Sequence, residues 1–195
     1  WLGARGFVGT VLWLMIPVGL MILASNIASN AGALVSLLGG LLLMGVLLLL
    51  PFQQVWFARE NRFRAFIEIG AVCRLAGRAP FKFWLALSLT LVLAMPLFFL
   101  KVELTPAEIT WLPALFFVVF GLPARLMVGW AMGRADRREP SKNFLLRWFC
   151  RLAALGLTLP VLFSYVVFLF FTQFISWNGT LSLLEQHAFL VPSPF

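Results

Sequence analysis

The side chains that could do chemistry are few. His187 is the one histidine of the 195-residue chain and sits in Glu185-Gln186-His187. A carboxylate beside an imidazole can form a surface acid–base pair, but a solvated tail explains the same residues more simply. With one histidine, this chain alone cannot build a bis-histidine haem site or a histidine-based metal cluster. Cys73 and Cys150 have no histidine partners at ligand spacing. They read as small packing residues, or as juxtamembrane thiols of the kind that are sometimes acylated. Ser88, Ser164 and Tyr165 fall in apolar runs with no His or Lys to activate a hydroxyl. No G-x-S-x-G, H-E-x-x-H or P-loop pattern occurs. The expectation is a non-enzyme without cofactor or metal.

Arg125 is the sharpest feature that remains. It lies two turns before Met132, about 10 Å at the helical rise, inside an apolar run. Gly121, Arg125, Gly129 and Gly133 recur every four residues on one helical face, and small residues at that spacing let helices approach closely. Arg125 is therefore expected to face a neighbouring helix. A charge buried in a membrane needs a partner. A lipid phosphate, a backbone carbonyl, Glu68 or another subunit would serve, and snorkelling to the nearby interface is the plainer alternative. Arg64, Arg74 and Arg78 join Arg125, Gly121 and Gly129 as candidate residues for binding lipid or a partner.

The elements that must position these residues are hydrophobic helices. The chain is 62% hydrophobic and 11% charged, with mean hydropathy +0.99, far more apolar than a water-soluble domain can cover. Runs at 31–57, 81–100, 111–132 and 148–174 satisfy the length of about 18–20 apolar residues needed to span a bilayer. The run at 7–24 is just long enough and reads as a span rather than a signal-peptide core. Between the second and third runs, a helical wheel places Glu60, Arg64, Glu68, Arg74 and Arg78 on one arc. Phe63, Phe66, Ile69, Gly70, Val72, Cys73 and Ala76 fall on the other, so a single amphipathic helix over about 60–78 is expected to lie in the interface. Glu60–Arg64 is the expected i,i+4 pair, Arg62 the misplaced charge that snorkels, and Gly77 with Pro80 the stop. The fold expected is all-α: one polytopic transmembrane helix bundle of five spans plus this interfacial helix, with an outer tail over 175–195.

Charge gives that bundle an orientation. The net charge is +8, and every basic residue except Lys101 and Arg125 falls on one predicted side. That is the positive-inside bias, with the N-terminus in the cytoplasm and the C-terminus outside. The excess reads as topology and attraction to anionic lipid headgroups, not as nucleic-acid binding. Trp56, Trp84, Trp111, Trp130, Trp148 and Trp177 fall near span ends, where amphipathic rings prefer to sit. Packing faces, within the chain or against a partner, are expected at Gly32/Ser36/Gly40, at Ala86/Thr90/Ala94 and at Gly156/Pro160/Ser164.

Residues 58–74 (ARENRFRAFIEIGAVCR) and 176–195 (SWNGTLSLLEQHAFLVPSPF) carry a resemblance to a family of bacterial multi-pass membrane proteins whose shared domain has no assigned function. In that family a basic R-F-R-A-F-type helix precedes further Leu/Phe-rich spans. The likeness covers roughly Phe52 to the C-terminus and implies a bacterial inner membrane, but no activity. The functional expectation is a non-catalytic membrane subunit, scaffold or assembly factor, with other membrane subunits as partners. The alternative is a transporter or channel for a small solute or lipid, which would have to work without a membrane carboxylate for ion coupling.

Overall fold

The computed structural model describes residues 1–27, 30–101, 111–139 and 143–175. Over these the chain is all-helical: α1 (Leu2–Ser25), α2 (Asn30–Glu60), a 3-10 turn (Phe63–Phe66), α3 (Ile69–Arg78), α4 (Pro80–Lys101), α5 (Trp111–Asp136) and α6 (Phe144–Ile175). Three helices, α1, α2 and α6, are long and apolar enough to cross a membrane. The bent pair α3–α4 would supply a fourth crossing if counted as one. Five spans were expected. The ends of α4 and α5 run into segments outside the described side chains, so the two remaining crossings stay a matter of proposal.

Large apolar side chains face outward throughout, among them Ile16, Leu34, Leu37, Leu126, Phe149 and Phe163. Such a surface is the mark of a chain whose solvent is not water. Inside, one core runs through the helices, including Leu14 and Val18 of α1, Leu43, Leu47 and Leu50 of α2, Leu87 and Leu91 of α4, Val128 of α5, and Leu162, Tyr165 and Leu169 of α6. Phe52 and Phe83 stack at 4.3 Å between α2 and α4.

Small residues set the close contacts, though not always those expected. Ala86, Thr90 and Ala94 are buried on α4, which packs on both α5 and α6. On α2 the expected Gly32/Ser36/Gly40 row is replaced by a seven-residue step. Gly32 and Gly39 meet α1, and a Cβ on Gly39 would lie 2.8 Å from Met21 Cγ and 3.1 Å from the Pro17 carbonyl. Gly40 looks instead toward Val166 of α6. The longer step follows the 3.5-residue repeat of nearly antiparallel helices, which a row stepping by four drifts away from. On α6 the expected row is not used within the described residues: Gly156, Pro160 and Ser164 are all exposed. Ala154, Thr158, Leu162, Tyr165 and Leu169 turn inward instead.

The single amphipathic helix expected over 60–78 is a bent elbow. Helix α2 runs on to Glu60, and Asn61 at φ 51° ends it, a left-handed conformation that Asn tolerates better than most side chains. The 3-10 turn follows, then α3. Ala79, at φ −140°, sits before Pro80, whose ring disfavours a helical predecessor. Pro80 opens α4 at the position where its missing N–H matters least. The result is a 111° bend between α3 and α4. Within α3, Ala71, Val72 and Leu75 are buried, whereas Gly70, Cys73 and Arg74 are exposed. The amphipathic character is as expected, but Cys73 and Gly70 move from the apolar arc to the open one.

Candidate functional site

The elbow and the helix ends around it gather most of the polar contacts. The Phe66 backbone carbonyl, released from regular helix by the 3-10 turn, accepts from Gln53 Nε2 at 3.0 Å and from Trp13 Nε1 at 3.2 Å. Gln54 Nε2 donates to Thr10 Oγ1 at 3.0 Å, tying α2 to α1. Trp56 Nε1 donates to Glu68 at 3.0 Å. The Phe66 ring lies on Gly9, where any Cβ would collide with it, and 4.8 Å from the Phe57 ring. Phe66 is thus a plug, pinned by its ring on one side and by its carbonyl on the other.

Charges are arranged around this plug. Arg62 pairs with Glu60 at 2.8 Å and reaches Glu68 at 4.0 Å. It does not snorkel from an apolar arc, and it takes the place expected for Arg64 as the partner of Glu60. Arg59 pairs with Asp136 of α5 at 2.9 Å and lies over Trp56. Arg5 lies over Phe57, and Lys82 over Trp130. These contacts link α1 to α2, α2 to α5 and α4 to α5, so the basic residues meet at one end of the bundle.

Arg64, Arg74 and Arg78 belong to this end. Arg64 and Arg74 are exposed and Arg78 is half-buried, with Arg74 and Arg78 one turn apart on α3. Arg125 does not join them. It is exposed part-way along α5, and a Cβ on Gly129 or Gly133 would meet nothing within 4 Å. The face of α5 that packs carries Gly121, Ala124, Val128, Ala131 and Ala135. The glycine row was expected to hold a neighbouring helix, yet within the described residues only Gly121 is covered. Alanines do that work because their methyl groups fill the contact while still permitting close approach. Glu68, one candidate partner for Arg125, is engaged by Trp56 and Arg62.

A second feature of this end was not foreseen. A cavity of ≈ 230 Å³ lies under α3, walled by α2 (Leu48, Leu49, Phe52), α4 (Phe83, Trp84, Leu87) and α6 (Ala154, Leu155, Thr158). Arg151 of α6 reaches across its rim to α3, with its guanidinium where a Cβ of Gly77 would be. Gly77, expected only as a helix stop, is thus the seat of a side chain from another helix. A signal was present, since a glycine near the end of an amphipathic helix leaves a seat for a long side chain.

Among the described residues no three of His, Cys, Asp and Glu come together as a metal site. The two cysteines are free, Cys73 exposed and Cys150 half-buried. His187, Asn178, Lys142 and residues 102–110 lie outside the described residues, and the side chain of Lys101 with them. The chain matches no family model, no curated protein and no solved structure.

Proposed function

We propose that the protein is a five-span, non-catalytic subunit or assembly scaffold of a larger membrane complex. Its N-terminus and elbow face the cytoplasm, its C-terminus faces outward, and the resemblance over 58–74 points to a bacterial inner membrane. The observation that carries this reading is the outward face of α6. There Gly156, Pro160 and Ser164 are exposed side by side, flanked by exposed Leu152, Leu159 and Phe163. Among the described residues the contacts within the chain use other small residues, and we assign this row to a helix from outside the chain. The helix also begins with an exposed apolar patch of Phe144, Leu145 and Phe149, larger than scattered surface side chains require.

The alternative, a solute transporter, finds less support. Of the buried polar side chains, Thr10, Thr90 and Thr158 each donate to the carbonyl four residues back in their own helix, at 2.9, 2.7 and 2.7 Å. Such back-bonding bends and satisfies helices rather than lining a polar path. The test is assembly in mild detergent. The native chain is expected to run as part of a larger complex, and Gly156→Leu with Ser164→Leu to release it as a folded monomer. A native chain that is monomeric from its own membrane would overturn the proposal.

A further inference from the structure

We propose that the cavity under α3 is a binding site for one acyl chain of an anionic membrane phospholipid, with its phosphate held at the rim by Arg151. The inference rests on the chain lying in a membrane and not on its being a subunit.

Size sets the first condition. An apolar cavity of about 150 Å³ is already enough to stay dry and take up benzene, whereas sites for whole drug-sized ligands run from about 300 Å³ upward. At ≈ 230 Å³ the cavity fits a stretch of hydrocarbon chain and leaves the rest of an amphiphile outside. The wall agrees: Leu48, Leu49, Phe52, Phe83, Leu87 and Leu155 supply apolar surface, and the lining contains no acid. The exposed residues Cys73, Arg151 and Leu155 mark where it opens, between α3 and α6.

Charge sets the second. Arg151 makes no ion pair with any described residue, so a single cationic fork stands at the mouth of an apolar hole. Arg147 lies one helical turn before it on α6, the spacing that puts two side chains on one face. A planar guanidinium binds phosphate oxygens in pairs, and basic pockets between helices on the cytoplasmic side suit anionic lipid headgroups. Trp84 supplies a third condition. It lines the cavity, and its indole N–H is buried with no acceptor among the described residues. Buried donors rarely go unsatisfied, and the ester carbonyl of a glycerolipid entering the cavity is an acceptor of the right kind. An amphiphile with a tail, an ester and a phosphate answers all three conditions, whereas free phosphate answers only one.

Cys73 on the rim reports occupancy, and Cys150, which does not line the cavity, is the control. The full chain in mild detergent is titrated with phosphatidylglycerol, phosphatidylcholine or inorganic phosphate, and maleimide alkylation of each thiol is timed. Phosphatidylglycerol is expected to slow Cys73 several-fold and leave Cys150 unchanged, phosphatidylcholine to act more weakly, and inorganic phosphate to do nothing. Arg151→Gln, a change at an exposed residue, should raise the phosphatidylglycerol midpoint about tenfold, the usual worth of a charged hydrogen bond. Gly77→Ala should raise it as well, because its methyl group takes the place of the guanidinium. Ala154→Phe should fill the cavity and abolish protection. Equal protection by the two lipids, protection by inorganic phosphate alone, or an unchanged midpoint in Arg151→Gln would overturn the assignment, even if Ala154→Phe failed to fold.

Discussion

Burial decides which residues hold the basic end together. Gln53 is fully buried and donates to the Phe66 carbonyl. The Arg59–Asp136 pair is shorter, at 2.9 Å, but its side chains are 53% and 43% exposed. Exposed ion pairs contribute about 0–1 kcal/mol, while a buried hydrogen bond lost with its packing costs about 1–3 kcal/mol. Gln53→Ala should therefore lower the thermal unfolding midpoint in detergent clearly more than Arg59→Ala or Asp136→Ala. A larger drop in either charge variant would reverse the ranking. Neither role was legible in the sequence. Gln53 stands in an apolar run with nothing to mark its partner, because that partner is a backbone carbonyl exposed only when the chain turns at Phe63–Phe66. Arg125 was legible as unusual, but its surroundings were not.

Among the elements, helices declared themselves through apolar length, while the faces they bury did not. The run at 31–57 became α2 with only its ends extended, and the run at 148–174 became α6 with an added first turn. On α4 the small residues Ala86, Thr90 and Ala94 are buried, as their spacing predicts. The same spacing on α6 is exposed, and Leu162, Tyr165 and Leu169 occupy the interior of that helix instead. This contrast is testable. Ala86→Leu inserts bulk into a fully buried position and should cost about 1–3 kcal/mol, lowering the unfolding midpoint of the isolated chain. Gly156→Leu should leave that midpoint within a degree or two of the parent and change only assembly. Comparable losses of monomer stability would show that α6 packs otherwise. The elbow was half legible. Its amphipathic pattern and its stop before Pro80 were readable, but the burial of Phe66 against Gly9 depends on α1, far away in sequence.

For the whole molecule, the distribution of charge says most. Basic residues from α1, the elbow, α4, the end of α5 and the start of α6 meet at one end through Arg5–Phe57, Arg59–Asp136, Lys82–Trp130 and Arg151–Gly77. A fold built that way has one cationic end and a flank of exposed Leu, Phe and Ile, the arrangement that the proposed orientation, basic end toward the cytoplasm, calls for. The all-helical architecture is common to sequence and structure. The proposed count of five crossings rests on the length of the apolar runs, and the side on which the tail emerges on charge asymmetry. The direct test is thiol labelling of intact cells or right-side-out vesicles with an impermeant maleimide. Single-cysteine variants at Lys101 and Asn178 should label from outside without permeabilisation, whereas native Cys73 should label only once the cytoplasmic face is opened. Labelling of Asn178→Cys solely from the cytoplasmic side would mean an even number of spans and contradict the account.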